Sequence, residues 1–231
     1  MTFDRLFVLW ADADGRRHVV GHLMRARGLF LFWYDDALAA AEAKGFMRPS
    51  VFPDVRDAHA PYESRYLWAT FAERIPLRSR ADSEALLRSW GVMQADDQFE
   101  ILARSGGVRA TDRLELAEYR ADDDDLVKPL ELRVAGSKHQ APLELQPDER
   151  VELQRQEDNE FDPCATFVCA QTKRPIGYVP RQYSKLFARL LDAGIELHAH
   201  VVRRLQLPDE AGRWVIRAQR SDTEQVCQRA S

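Results

Sequence analysis

The sequence predicts a two-part α+β protein: an N-terminal small β-barrel or sheet with helices, then a C-terminal small β-barrel with one main helix. Three observations predict it. β-prone runs recur near both ends of the chain, and helical spacing is confined to a few segments between them. Four aspartates, Asp122 to Asp125, then separate two stretches of different texture, with Pro129 just beyond. Adjacent carboxylates repel one another and resist burial, so 121–129 reads as an acidic linker. The expected parts are therefore 1–120, the linker, 130–220 and a C-terminal tail at 221–231. With 231 residues, both parts are large enough to bury a core of their own.

In the first part, Leu6 to Trp10 is a strand, Ala11 to Gly15 a turn, His18 to Met24 a second strand and Leu29 to Tyr34 an aromatic third. Asp35 caps a helix of strong formers that stops at Gly45. Arg48 to Pro61 holds three prolines and no period, which is an extended loop. Leu67, Phe71 and Ile75 fall at four-residue spacing and mark a helix over Tyr66 to Ile75. Asp82 to Trp90 and Asp96 to Arg104 are two more helices, each opened by an acid and closed by glycine. Leu114 to Tyr119 is a late strand.

In the second part, Leu132 to Ala135, Arg150 to Gln154, Ala165 to Ala170 and Ile176 to Val179 are strands. Pro180 opens a helix that runs to Asp192 and stops at Gly194. Ile195 to Leu205 and Trp214 to Ala218 are the last two strands, joined by a turn at Pro208 to Gly212. A closed or half-closed barrel fits this order.

Composition is that of a soluble globular chain, 45% hydrophobic and 30% charged. No apolar run is long enough to span a membrane, and the N-terminus reads as a strand, not a signal peptide. Three cysteines, Cys164, Cys169 and Cys227, form no CxxC pair, so a reduced, cytoplasmic setting is expected. A net charge of −4 argues against a surface that grips duplex DNA all over, but leaves room for a local basic cleft. Lys173, Arg174, Arg181, Lys185, Arg189, Arg203 and Arg204 supply such a local excess, unless they are merely solvated faces of a helix and its flanking strands.

The segment Val151 to Val168, followed by Ile176 to Arg181, carries the functional reading. Asn159 and Asp162 bracket Phe161 in a polar turn, where both side chains can bond nearby backbone N–H groups. An exposed ring there, beside cations, is a stacking platform for an unpaired base. The start of the helix at Arg181 offers N–H groups and a guanidinium to a phosphate, with Tyr178 alongside. The bland alternative is that Asn159 and Asp162 only fix the loop and Phe161 plugs the barrel end.

These residues resemble the HIRAN domain. The pattern is carried by Val134-Ala135-Gly136, Leu153-Gln154-Arg155, Asn159-Glu160-Phe161-Asp162-Pro163-Cys164-Ala165 and Ile176-Gly177-Tyr178-Val179. The resemblance spans about ninety residues. It implies a small β-barrel that binds single-stranded DNA or a DNA 3′ end, with no enzymatic activity and no cofactor. It places Asn159, Phe161 and Asp162 around the terminal nucleotide, with Asp162 at the 3′-hydroxyl. Tyr178 and Arg181 lie beside them, and Arg133 and Lys185 join the nucleic-acid-binding set. Cys164 stands where the family has asparagine. Arg133 and Val134 stand where one member has paired tyrosines, and a guanidinium at Arg133 can stack on a base in their place.

The first part is similar to the N-terminal subdomain of HipA-type toxin kinases. Val20-Gly21-His22-Leu23, Leu29 to Tyr34, Phe71 to Pro76 and Asp97 to Gly107 carry that likeness. No kinase machinery accompanies them: there is no phosphate-cradling glycine loop and no catalytic or metal-binding kinase motif. The resemblance implies a protein-docking unit, in a prokaryotic toxin–antitoxin or antiphage setting, with a HipA-like kinase as a partner. The competing reading is an antitoxin-like regulator that restrains such a kinase and has no DNA role.

Other chemistry is weak. His198 and His200 share a strand face but lack a third ligand at metal-site spacing, so no metal is expected. The strand Leu29 to Tyr34 is apolar on both faces. One face should be core, and the other is free for a partner protein or a second copy.

Overall fold

The structure is a computed structural model that describes residues 4–109, 112–137, 140, 143–207 and 210–221. The chain forms two compact units, Met1–Tyr119 and Arg120–Ser231.

The first unit is an antiparallel sheet of five strands: β1 (Arg5–Ala11), β2 (Arg17–Ala26), β3 (Leu29–Tyr34), β4 (Tyr62–Ser64) and β5 (Leu114–Glu118). They are ordered β4-β3-β2-β1-β5. It is a sheet and not a closed barrel, since β4 and β5 sit at opposite edges of that order. Four helices accompany it: α1 (Leu38–Glu42), α2 (Ala69–Ala72), α3 (Ser83–Ser89) and α4 (Gln98–Ser105). Inward residues Leu6, Val8, Leu23 and Phe32 meet Phe52, Phe71, Phe99 and Leu102 in one core. Phe32 and Phe52 stack at 4.2 Å, and the Tyr34 hydroxyl donates to the Phe52 carbonyl at 2.5 Å, which ties the proline-rich loop to the sheet.

Two expectations for this unit change. The helix expected over Tyr66 to Ile75 is only one turn, Ala69–Ala72, because Trp68 is extended at ψ 146° and Pro76 follows closely. The second face of β3 is not open. Trp33 is buried, its ring stacked on His22 at 5.2 Å, with the Arg5 guanidinium 4.8 Å from its centroid.

The second unit is a six-stranded sheet with the order β6-β11-β10-β7-β8-β9. The strands are β6 (Leu130–Arg133), β7 (Arg150–Arg155), β8 (Thr166–Ala170), β9 (Pro175–Tyr178), β10 (Leu197–Leu207) and β11 (Glu210–Arg220). The sheet curls into a half-barrel whose two edge strands meet. Just beyond β6, Ala135 pairs with Tyr178 at the end of β9, each amide donating to the other's carbonyl at 2.8 Å. Gly177 makes that approach possible. It lies at φ +146°, and a Cβ there would sit 2.4 Å from the Ala135 carbonyl oxygen.

The long helix α5 (Arg181–Asp192) follows Pro180, which occupies the cap position. Tyr183, Leu186, Phe187 and Leu190 are its large buried residues, at helical spacing, with Ser184 and Ala188 buried between them, while Arg181, Lys185 and Arg189 form the exposed stripe. The acidic segment 121–129 is part of this unit's fold. Arg189 donates to the carbonyls of Asp122 and Asp124, Arg120 pairs with Asp124 at 3.3 Å, and Leu126 is fully buried. Backbone carbonyls, not the carboxylates, take most of those bonds, so the segment folds in without desolvating four acids. Pro208 and Asp209, in the expected hairpin turn, and residues 222–231, including Cys227, lie outside the described residues. Among the described residues, no helix is long and apolar enough to cross a membrane.

Candidate nucleic-acid interface

Three strand ends converge on one loop. β7 ends at Arg155, β8 begins at Thr166 opposite it, and Phe167 pairs with Tyr178 at the end of β9. The loop between β7 and β8 is held by its own side chains. Asn159 Oδ1 accepts from the Phe161 and Asp162 amides at 2.9 and 3.0 Å. Asp162 Oδ1 accepts from the Cys164 amide at 2.9 Å, and the Asp162 carbonyl accepts from Ala165 N–H at 2.9 Å. Arg155 braces it from outside, donating to the carbonyls of Ala165 at 2.7 Å and Pro163 at 3.1 Å and to Asp192 at 2.8 Å. The bond to Asp192 holds the guanidinium still more firmly protonated than an ordinary arginine, against the opposing effect of burial.

With its backbone so fixed, the loop holds a large apolar side chain outside: Phe161 is 71% exposed. The expectation that its ring plugs the barrel end is therefore set aside. Tyr178 lies half-buried at the barrel seam, stacked on Phe167 with ring centroids 4.5 Å apart and planes 27° apart. Gln156 joins ring and loop. Its Oε1 accepts from the Tyr178 hydroxyl at 3.1 Å and from the Asn159 amide at 2.9 Å. Burial pushes the Tyr178 phenol above its ordinary value, which keeps it the donor in that bond. Among the described residues, Oδ1 of Asp162 is the oxygen used within the loop, which leaves the other to accept from a hydroxyl donor.

The structure brings Asn159, Phe161, Asp162 and Tyr178 together, with Arg181 two residues beyond Val179 at the opening of α5. Arg133 lies at the end of β6, two residues before Ala135, which is paired to Tyr178. Lys185 is not part of this group. It sits one turn further along α5, with its ammonium 3.9 Å from Asp122. The wider cation cluster is also dispersed. Lys173 pairs with Glu152, Arg203 with Glu131 at 2.8 Å and Arg204 with Glu144 at 3.4 Å. Cross-strand acids, far away in sequence, meet these cations, so nearness along the chain did not translate into a basic groove. The loop itself exposes Glu157, Asp158 and Glu160 beside Phe161. A phosphate chain would therefore approach from the Tyr178 and Arg181 side.

Phe167 and Gln156 belong to the site and were not singled out from the sequence. Phe167 is a strand residue whose partner is fixed only by sheet pairing. The signal for Gln156 is its place just before the Asn159 turn, which is too general to be specific. His198 and His200 lie by a shallow cleft of about 320 Å³ with Asp148 and Arg150, at the opposite end of β7 from the loop. Among the described residues, no three potential ligands are grouped to hold a metal.

Comparison with known proteins agrees with this geometry over one half of the chain. Residues 128–211 match the HIRAN domain, a span that contains the whole loop, both halves of the seam and α5. No curated protein matches the chain. Among solved structures, the HIRAN domain of human HLTF overlays at 17% identity and a TM-score of 0.36, over 44% of this chain and 84% of that one. A protein from Lactobacillus plantarum overlays at 19% identity and a TM-score of 0.30, over 40% of this chain and 99% of that one. The family match over 128–211, and not these overlays, carries the assignment.

Proposed function

We propose that the second unit, which carries a HIRAN domain at residues 128–211, binds single-stranded DNA by stacking an unpaired base at Phe161 and the Tyr178–Phe167 pair. The observation that carries this reading is a phenylalanine held 71% exposed on a loop whose backbone is fixed by Asn159, Asp162 and Arg155. A phenylalanine ring this exposed offers its face to a ligand, and a base stacked on it gains about 1–3 kcal/mol. The free oxygen of Asp162 would accept from a sugar hydroxyl, and Arg181 would meet one phosphate. Because the loop is acidic and most nearby cations are paired, stacking dominates and phosphate neutralisation contributes little. Binding should therefore weaken only modestly with salt, with a log–log slope near one or two phosphates.

Fluorescence anisotropy with a labelled oligothymidylate tests this. The expected result is binding that Phe161→Ala weakens and that duplex DNA of the same length does not match. Equal affinity for duplex, or an unchanged affinity in Phe161→Ala, would refute it. Labelled strands with a 3′-hydroxyl or a 3′-phosphate then test the Asp162 contact, and only the hydroxyl form should bind fully.

The reading in which the chain restrains a HipA-like kinase, in a toxin–antitoxin or antiphage setting, draws on one observation. Val51, Val55, Tyr66, Leu77 and Met93 of the first unit are all exposed. They are spread over residues 51–93, and exposed apolar side chains favour a protein partner where they form one patch. Co-purification with a HipA-like kinase through residues before Asp122 is the expected outcome of that reading, and a pull-down that recovers no complex removes it.

A further inference from the structure

The first unit contains a cleft that the DNA-binding reading does not use. It measures about 530 Å³ and is lined by Trp10, Phe46, Met47, Pro49, Thr70 and Leu114 together with Arg74, Arg109, Asp112 and Arg113. It is an open cleft whose volume lies in the range of small-molecule sites, and its lining sets apolar walls against four charged side chains. Trp10 and Phe46 meet edge to face at 5.6 Å and form a rigid aromatic corner. Met47, next in the chain, is 85% exposed at the same cleft, where a flexible thioether can close over a flat ring.

The charges are unequally committed. Arg74 is structural. Its guanidinium is buried and donates to the carbonyls of Thr70 and Gly107 and to Asp112 at 2.6 Å. Both oxygens of Asp112 are occupied, one by Arg74 and one by the Leu114 amide at 3.0 Å. Arg109 is half-buried and pairs with Glu73 at 2.9 Å, leaving other N–H groups of its fork for a ligand. The Arg113 side chain is exposed and has no partner among the described residues. An aromatic corner beside two arginines with donors to spare, with Asp112, the one acid among the described lining residues, already occupied, fits a ligand that joins a planar ring to an anion.

We infer that this cleft binds a nucleoside phosphate, with the base against Trp10 and Met47 and the phosphates at Arg109 and Arg113. The Thr70 hydroxyl is the remaining polar group for the base edge or the ribose. This site stands apart from the DNA-binding loop of the second unit and does not depend on it.

Isothermal titration calorimetry of the full chain with ATP, AMP, adenosine and inorganic phosphate tests the inference. ATP and AMP should bind, and adenosine and phosphate alone should bind at least tenfold more weakly, since each lacks half of the recognised chemistry. Arg113→Ala and Arg109→Ala should each weaken ATP about tenfold, the size of a lost charge-assisted bond. Phe161→Ala should leave ATP binding unchanged, which separates this cleft from the DNA site. The Arg113 side chain bonds to none of the described residues, so the unfolding temperature of Arg113→Ala should match that of the parent chain. The inference is overturned if no ligand binds at millimolar concentration, if adenosine binds as well as ATP, or if Phe161→Ala abolishes ATP binding while the arginine variants do not.

Discussion

Asp97 in the first unit and Asn159 in the second make the same pair of bonds, yet the aromatic residue two positions on meets opposite fates. Asp97 Oδ1 accepts from the Phe99 and Glu100 amides at 2.9 and 3.2 Å, and Asn159 Oδ1 accepts from the Phe161 and Asp162 amides at 2.9 and 3.0 Å. Phe99 is then fully buried, with the Arg25 guanidinium over its ring at 5.1 Å, while Phe161 is exposed. The side-chain-to-backbone bonds are therefore a device for setting backbone direction and do not themselves mark a site. What separates the two is the ring left in water once the same bonds are made.

Four experiments sharpen or break that contrast. The largest effect should come from the seam that supports the exposed loop. Gly177→Ala places a Cβ against the Ala135 carbonyl at a φ that L-residues avoid, and should destabilise the second unit by roughly 3 kcal/mol or more. Urea unfolding would show it, and a shift under about 1 kcal/mol would mean that the seam is not needed.

Phe161→Ala comes next. It should cost about 1–3 kcal/mol of single-strand affinity, yet leave the unfolding temperature within a degree or two, as expected for a ring that packs no core. A marked loss of stability would make Phe161 a second Phe99.

Asp97→Asn should cost about 1–2 kcal/mol of stability and no affinity, since it keeps a capping oxygen, as Asn159 does, but removes the charge partner of Arg25 at 3.0 Å. Burial alone would raise the Asp97 carboxyl, but the Arg25 bond and the two amide bonds outweigh it and hold it below the ordinary value. Its contribution is thus complete above the ordinary carboxylate range and is lost as pH falls through the lowered folded-state value. The difference between parent and variant should shrink below about pH 4, and a difference that persists unchanged at pH 2 would show that the charge is irrelevant.

The smallest effect is expected for Arg181→Ala. It should leave stability unchanged and lower the salt slope of DNA binding by about one, measured by anisotropy across a salt series.

Much of this was legible in the residues. An acid opening the helix, expected at Asp96 and found one residue on at Asp97, Gly106 as a left-handed stop at φ 78°, and the β-prone strands around Leu6 and Val168 follow from local chemistry and were readable. The Asn159 turn was readable too, because it depends on residues within four positions, whereas spacing left open whether the Phe161 ring is exposed or plugs the barrel end. The helix at Tyr66 was overextended, because four-residue spacing also arises where a single turn and two flanking loops face one core. The strand Tyr62–Ser64 was missed because three residues at a sheet edge carry no period of their own. Phe167 and Gln156 became part of the site only through pairing with Tyr178, a partner set by register. The basic cluster dissolved for the same reason: Glu131, Glu144 and Glu152 reach their arginines and lysine only when the strands assemble.

The Ala135–Tyr178 bridge works as a clasp: two reciprocal bonds join the ends of a ring of strands, and one of the clasped residues also presents its ring to the outside. Anything that settles on that ring leans on the clasp. Occupancy would then be recorded at the clasp, as added protection of the Ala135 and Tyr178 amides from deuterium.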